Sequence, residues 1–170
     1  MYKRQLLWFG WFGFNSGSAL GANLDAAIAF ANTNLASATS MITWIFYDRF
    51  TNKKMSALGA CIGAIVGLVA ITPAAGFVTL GQSAFIGFTA SIISNIAIGI
   101  TKKSNIDDTL DVFPSHGVGG IVGMVLTAVF ASNVGLIYGD STVFFYHLIT
   151  ILITIVFTLI LSYLLLKISF

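Results

Sequence analysis

Long apolar runs separated by short polar or basic connections occupy most of this 170-residue chain. A helix needs about 20 apolar residues to cross a hydrocarbon core of about 30 Å. Surface helices of soluble proteins carry a charged stripe opposite their apolar face, whereas residues 148–166, for example, hold no charged side chain. The pattern therefore predicts an all-α polytopic membrane protein. Its six transmembrane helices are predicted at residues 6–20, 26–47, 56–75, 83–100, 117–131 and 142–166.

The basic residues predict the orientation of these helices. All eight Lys and Arg residues fall on one side of the predicted membrane, before the first run and after the second, fourth and sixth. The opposite connections, residues 21–25, 75–82 and 132–141, carry only the acidic Asp25 and Asp140. Because cytoplasmic loops are enriched in Lys and Arg, both termini are predicted to be cytoplasmic. We expect an integral, multi-pass protein of the plasma (inner) membrane.

Composition agrees with this class and excludes others. Hydrophobic residues make up 57% of the chain and charged residues 8%, at a mean hydropathy of +0.94, whereas soluble domains carry about 25% charged residues. The net charge of +2 is too small for a nucleic-acid-binding protein. Cys61 is the single cysteine, so neither a disulfide nor a cysteine metal cluster is expected. The sequence has no nucleophile–base pair, metal-ligand cluster or phosphate-binding loop, and we predict neither enzymatic activity nor a cofactor.

Glycines and polar residues indicate how the helices pack. Glycines four residues apart recur in the first, third and fifth runs, and such spacing lets helix backbones approach closely in lipid. The second run is unusually polar for a membrane helix, and its polar side chains must face protein or water. Hydrogen bonding between helices and lining of a pore both fit the residues concerned, which are Asn32, Thr33, Asn34, Ser37, Thr39 and Ser40.

Two histidines lie in or beside the apolar runs. His116 stands where the glycine-rich fifth run begins. Charged groups at the centre of a membrane helix cost about 2.5–3.5 kcal/mol on insertion scales, so an ionisable residue there is a functional-site hypothesis. By position alone, His116 falls at the cytosolic end of its helix. His147 lies near the start of the sixth run beside Phe144, Phe145 and Tyr146, which is typical of an interfacial aromatic belt.

Three segments together resemble the ammonium transporter (Amt/Mep/Rh) family: GWFGFNSGSA at 10–19, GACIGAIVGLVAITPAAG at 59–76 and DDTLDVFPSHGVGGIVG at 107–123. They occur in the order and spacing of the family, and the likeness extends over essentially the whole chain. They resemble the sixth, eighth and tenth helices of the family. The resemblance implies a partial ammonium-transporter fold in a single domain, 1–170, equivalent to helices six to eleven of an eleven-helix subunit.

The resemblance also implies a mechanism. In the family, ammonium is recruited at an outer vestibule by aromatic faces and a serine hydroxyl and loses its proton, and ammonia then crosses a narrow apolar pore lined by two histidines. Ser18 matches the recruiting serine, and Trp11 is assigned to recruitment with it, as a ring that attracts cations. Phe14 matches a gating phenylalanine and His116 the second pore histidine. A neutral imidazole offers one donor and one acceptor nitrogen, which suits a relay with ammonia.

Other interpretations of these residues stay open at the level of sequence. Trp11 and Phe14 also fit ordinary packing, and the Ser18 hydroxyl also fits a bond back to a helical carbonyl. Asp107, Asp108 and Asp111 precede the segment with His116. Carboxylates are favoured at helix N-termini by the helix dipole. We therefore predict a structural role for this loop, which caps and fixes the segment that carries His116.

The family also suggests what this chain needs in order to work. The family's first pore histidine, second gating phenylalanine and vestibule tryptophan lie on earlier helices. The first apolar run has only about 15 residues, or about 22 Å, so we expect about half of a transporter, from an incomplete gene model. A homotrimer in the lipid bilayer is implied, with a PII-type cytoplasmic regulator if a C-terminal tail exists. The alternatives are a non-conducting half-subunit that assembles with another membrane chain, and a fragment of an ammonium sensor.

Overall fold

The computed structural model describes residues 2–104 and 107–169, and side chains from Gln5 onward. The two terminal residues and the side chains of Lys3 and Arg4, on which the predicted orientation partly depends, lie outside this part. Within it the chain is all-α, without a strand, which confirms the predicted fold class. The helices are α1 (Tyr2–Gly17), α2 (Leu24–Phe50), α3 (Ala57–Ile71), α4 (Leu80–Thr101), a π-helical segment (Phe113–Val118) continuous with α5 (Gly119–Phe130), a 3₁₀ turn (Leu136–Tyr138) and α6 (Thr142–Ser169).

The ends of α3 and α4 differ from the predicted ends because local hydrogen bonding decides them. α3 ends at Ile71 rather than at 75, and a turn over residues 72–77 follows. Pro73 accounts for this end, since proline has no N–H to donate and its ring clashes with the preceding helical turn. α4 begins at Leu80 rather than at 83, because Thr79 and Gln82 form a reciprocal capping box.

The connection between α1 and α2 is set by two other local features. α1 ends at Gly17 rather than at 20, and Leu20 adopts a φ of 53°, in the left-handed region where helices terminate. α2 begins at Leu24 because the side chain of Asn23 accepts a hydrogen bond from the Ala26 N–H at 2.9 Å. Such a cap satisfies an N–H that has no partner within the helix.

Within residues 2–104 and 107–169, three helical segments are long and apolar enough to cross a membrane by length and composition: α4, the continuous span Phe113–Phe130, and α6. α3 is apolar but has only 15 residues, and α1 has only 16. α2 has 27 residues, but its apolar surface is interrupted by polar side chains. Polar groups at membrane depth are tolerated where they face protein. Contacts with neighbouring helices therefore have to compensate for the short lengths of α1 and α3 and for the polar side chains of α2.

Backbone contacts at glycines hold α2, α3 and α4 together, and these three helices contain most of the buried core. A Cβ added at Gly67 of α3 would lie 2.5 Å from the carbonyl oxygen of Ala36 in α2. Gly87 of α4 faces the same carbonyl, and a Cβ there would collide with it. Gly123 of α5 packs likewise on the carbonyl of Ala70 in α3. The tight bundle therefore requires glycine at these positions.

Buried polar side chains of α2 bond to the neighbouring helix. Ser37 and Ser40 donate their hydroxyls to carbonyl oxygens of α3 at 2.9 and 2.6 Å. The amide of Asn32 donates to two carbonyl oxygens of the turn after α3, at 2.9 and 2.7 Å. All three side chains are fully buried, whereas Asn34 is exposed. Of the two interpretations that the sequence left open, hydrogen bonding between elements therefore holds for Asn32, Ser37 and Ser40.

α6 lies at the edge of the bundle, packs against α5 and has no buried residue. His147 is half-buried, and its Nδ1 lies 3.0 Å from the carbonyl oxygen of Met124 in α5. The Thr142 N–H, at the start of α6, lies 2.8 Å from Oδ1 of Asp140, and hydrogen bonds from the Thr142 backbone and side chain lower the pKa of that carboxyl. The contact between His147 and Met124 therefore joins α6 to α5.

The glycine contacts can be tested in α4 alone. Gly87→Ala is expected to lower the free energy of unfolding by about 1–3 kcal/mol, the usual cost of overpacking, because its Cβ would meet the Ala36 carbonyl. Gly99→Ala is the matched control, since no atom lies within 4 Å of its Cβ position, and alanine has the higher helix propensity. Thermal denaturation of both variants in one detergent measures the difference. Equal stability would contradict the close contact.

Candidate functional site

The residues matched to recruitment and gating lie together at the C-terminal end of α1. Trp11 and Phe14 are three residues apart, and their rings meet edge to face with centroids 5.7 Å apart and an interplanar angle of 62°. Aromatic pairs favour this arrangement. Phe14 is 61% exposed, Ser18 is exposed, and Trp11 is half-buried. This end of α1 therefore presents two rings and a hydroxyl within about two helical turns.

The Ser18 hydroxyl forms a hydrogen bond back to the last turn of α1. Its Oγ donates to the carbonyl oxygen of Phe14 at 2.8 Å. A hydroxyl has one O–H donor and two acceptor lone pairs, so this bond uses the donor and leaves acceptor capacity on an exposed oxygen. The bond back to the helix and a role in accepting an N–H from a ligand are therefore compatible.

Two side-chain hydrogen bonds anchor α1 to the bundle. The indole Nε1 of Trp11 donates to Oγ1 of Thr72, in the turn after α3, at 2.8 Å. The buried amide of Asn15 donates to Oγ1 of Thr33 in α2 at 3.0 Å. Trp11 is thus more than a packing residue, because its polar edge has a fixed partner on another element.

An open cavity of about 400 Å³ lies against this part of α1. Its lining consists of apolar and aromatic side chains together with one glycine. Such a surface can attract a cation through ring faces but offers few hydrogen bonds in return. The lining residues are Leu6, Leu7, Gly10, Trp11 and Phe14.

His116 lies inside the π-helical segment, and its side chain is exposed. The helical span begins at Phe113 rather than at the predicted 117, which places His116 in its first turn instead of just before it. Pro114 and Ser115 are buried and fix the segment against α3, α4 and α5. π-helical turns are rare and are frequent at functional sites, which draws attention to this histidine.

Asp108 caps the span that carries His116. Its Oδ1 accepts from the Val112 N–H and its Oδ2 from the Phe113 N–H, both at 2.8 Å. The first N–H groups of a helix have no partner within it, so one carboxylate satisfies two of them. Asp108 thereby fixes where the helical span starts.

The neighbouring aspartates contribute through other contacts. Asp111 has a φ of 54°, in the left-handed region that aspartate tolerates, and its Oδ2 lies 3.7 Å from Nζ of the exposed Lys102. Exposed ion pairs of this kind add little stability. Asp107 accepts a hydrogen bond from the Thr109 hydroxyl at 3.0 Å. Within the described residues, no three His, Cys, Asp or Glu side chains cluster as a metal site would require.

α3 is the common support of both parts of the site. α1 packs on α2 and α3, and the π-helical segment packs on α3, α4 and α5, so α3 contacts both the helix with Phe14 and the segment with His116. Trp11, Phe14 and Ser18 are brought together on one element, whereas His116 stands on another. The sequence analysis did not identify Thr72, whose bond to Trp11 joins positions 61 residues apart.

The chain matches a known family over nearly its whole length. An all-α fold with several long apolar helices is that of an integral, multi-pass membrane protein. Residues 4–169 match the model of the Ammonium Transporter Family. The chain belongs to the ammonium transporter family.

Curated relatives agree with this assignment. The ammonium transporter of Aquifex aeolicus is 48% identical over 163 residues, which cover 92% of this chain and 38% of that protein. The ammonium transporter of Bacillus subtilis is 44% identical over 171 residues, covering 96% of this chain and 42% of that protein. This chain therefore spans about two fifths of the length of these relatives. Both relatives are transporters by name, which supports a role other than catalysis.

Solved structures show the same fold. The crystal structure of Saccharomyces cerevisiae Mep2 aligns with a TM-score of 0.92 at 36% identity, over 96% of this chain and 39% of that one. Candida albicans Mep2 gives a TM-score of 0.81 at 41% identity, over 85% of this chain and 34% of that one. A sensor Amt protein gives 0.73 at 30% identity, over 88% of this chain and 42% of that one. The predicted partial ammonium-transporter fold is confirmed.

The cap on the histidine-bearing span gives a local prediction. Asp108→Ala is expected to destabilise this helix end by about 1 kcal/mol, the typical value of an N-cap, because two N–H groups lose their acceptor. Hydrogen exchange of a peptide covering residues 107–118 should then accelerate in detergent-solubilised protein. Asp107→Ala, which removes a contact to Thr109 instead, should exchange like the wild type. Equal exchange in the two variants would refute the capping role.

Proposed function

We propose that this chain carries the conducting part of an ammonium transporter. Ammonium binds at the outer end of α1, loses its proton and passes as ammonia along an apolar path that includes His116. The observation that carries this proposal is the pairing of an exposed aromatic site on α1 with a histidine inside an apolar span, both supported by α3. Its relatives from Aquifex aeolicus and Bacillus subtilis are ammonium transporters by name.

Recruitment is assigned to Ser18 and Trp11. The exposed Ser18 oxygen keeps acceptor capacity beside its bond to Phe14, and an ammonium N–H can use it. The rings of Trp11 and Phe14 line the open cavity on α1 and attract a cation through their π-faces. Potassium has the same charge but no N–H to donate, so a site that combines an acceptor with ring faces favours ammonium.

Gating and conduction are assigned to Phe14 and His116. Phe14 is the most exposed part of the aromatic pair and can rotate without displacing the core. An uncharged imidazole in an apolar span can donate to one ammonia molecule and accept from another. The loop of Asp107, Asp108 and Asp111 holds the His116 segment in place, mainly through the two hydrogen bonds that Asp108 accepts.

The positions of the basic residues support a particular orientation of the chain in the membrane. We propose that Arg49, Lys54, Lys103 and Lys167 face the cytoplasm of a plasma (inner) membrane, with both ends of the chain on that side. A homotrimer is the assembly we propose, and a PII-type protein is a candidate regulator on the cytoplasmic face. These partners rest on the family and not on a contact within this chain.

Two other functions are supported by specific observations. The similarity to a sensor Amt protein, at a TM-score of 0.73, fits a sensing role in which ammonium binding matters more than its flux. The coverage of about two fifths of the relatives' length fits a half-subunit that works together with another membrane segment. Ammonium flux through the protein separates both alternatives from transport.

Flux tests the site assignment. In the complete reading frame that contains these residues, Phe14→Ala and His116→Ala are expected to change ammonium flux, or its selectivity over potassium, by about tenfold, equivalent to about 1.4 kcal/mol of barrier. Ammonium uptake into proteoliposomes measures this, with membrane insertion checked separately. His147→Gln is the control histidine, since His147 contacts α5 at the edge of the bundle, and should leave flux unchanged. Wild-type flux and selectivity in both site variants would reject the assignment.

Cysteine labelling tests the orientation. In a Cys61→Ser background, Lys54→Cys and Asp140→Cys place single thiols at two exposed positions on opposite predicted sides. A membrane-impermeant maleimide on intact cells should label the cysteine at 140 and should reach the one at 54 only after permeabilisation. The reverse pattern would invert the topology.

A further inference from the structure

The hydroxyl of Thr72 bonds back to its own helix directly before Pro73. In a continuing helix, residue 73 would donate its N–H to the carbonyl of Val69, but proline has none to donate. The Thr72 N–H takes that carbonyl at 3.3 Å. The carbonyl of Leu68, which would otherwise receive that N–H, instead accepts the Thr72 hydroxyl at 2.8 Å. The hydroxyl therefore completes the last turn of α3.

This bond fixes the direction of the Thr72 hydroxyl. With its hydrogen on Leu68, the oxygen can act only as an acceptor toward other groups. The Trp11 indole N–H supplies the donor at 2.8 Å. Leu68 is fully buried in α3, so the chain of bonds begins at a rigid point. Hydrogen bonds in such chains polarise and strengthen one another.

Trp11, held in this way, restricts the orientation of the Phe14 ring. The two rings meet edge to face at 5.7 Å, and Phe14 is otherwise 61% exposed. An exposed ring samples several rotamers unless a neighbour restricts it. The backbone at Phe14 is held as well, because its carbonyl accepts the Ser18 hydroxyl at 2.8 Å. The orientation of the ring therefore depends on where Trp11 is held.

We propose that Thr72 is a positioning residue for the Phe14 gate, acting through the indole N–H of Trp11. This inference rests on the proposed function, which makes Phe14 the gate. The Thr72 hydroxyl links the buried end of α3 to the exposed aromatic pair and sets the ring position that conducts ammonium.

Three substitutions test the link. Thr72→Val keeps the branched shape and removes the hydroxyl, and ammonium flux should fall roughly two- to tenfold, the range for one net hydrogen bond. Thr72→Ser keeps the hydroxyl and should restore flux. Thr127→Val is the matched control, because the buried Thr127 hydroxyl also bonds back to its own helix, at Gly123, at 2.7 Å, without an indole on it. Its flux should equal the wild-type flux.

A cycle with Trp11→Phe shows whether Thr72 acts through the indole. Trp11→Phe keeps an aromatic ring and removes the N–H, so the double variant should lose no more flux than either single variant. A fluorine NMR spectrum of 5-fluorotryptophan-labelled protein gives a readout independent of flux. Thr72→Val should shift and narrow the Trp11 resonance and leave that of the buried Trp44 unchanged.

The outcomes separate this inference from the proposed function. A shifted Trp11 resonance, reduced flux, rescue by Thr72→Ser and non-additivity with Trp11→Phe support it. Wild-type flux in Thr72→Val, or additive losses in the double variant, overturn the positioning role while leaving ammonium transport intact. Absence of flux from the wild-type protein in the complete reading frame rejects the proposed function, and the role of Thr72 falls with it.

Discussion

The carbonyl of Ala36 is the point on which the packing of this protein depends. Gly67 of α3 and Gly87 of α4 both approach it so closely that neither could carry a side chain. In lipid the hydrophobic effect does not drive helices together, so close backbone contact and hydrogen bonds between helices have to do so. The buried Ser37 and Ser40 add such bonds from α2 to α3. α3 is thereby held against α2, and both α1 and the π-helical segment pack on it.

A single proline then shapes the outer side of the site. Pro73 ends α3, and the turn that follows is held by the Asn32 amide. The end of α3 follows from the missing N–H and from the clash of the proline ring with the preceding turn. The Thr72 hydroxyl, directly before Pro73, bonds to the Leu68 carbonyl. A residue that reads in the sequence as the end of a helix therefore also organises the aromatic residues of α1.

The sequence predicted the class and the number of helices, because hydropathy and charge are local signals, and short motifs nominated the site residues, which stay a prediction. It placed the ends of α3 and α4 three or four residues away from where they lie, since capping bonds such as the Thr79–Gln82 box are not part of the hydropathy pattern. It put His116 at a helix end because the apolar run begins at Gly117, whereas the Asp108 cap extends the helix back to Phe113. The bond from Trp11 to Thr72 joins distant positions, and a single sequence holds no information on such a pair.

The π-helical segment has a consequence for how chains of this family differ in length. A π-turn accommodates one residue more than an α-turn over the same path. Deleting one residue within Phe113–Val118 would restore α-helical spacing while α5 kept its contact between Gly123 and the Ala70 carbonyl. The residues on both sides of the segment would keep their orientation around the helix axis, because the π-turn absorbs the extra residue locally, and only side chains within the segment, His116 among them, would change position. A one-residue gap at this point in an alignment would therefore change which side chains of the segment face the path, and it would leave the following helix unchanged.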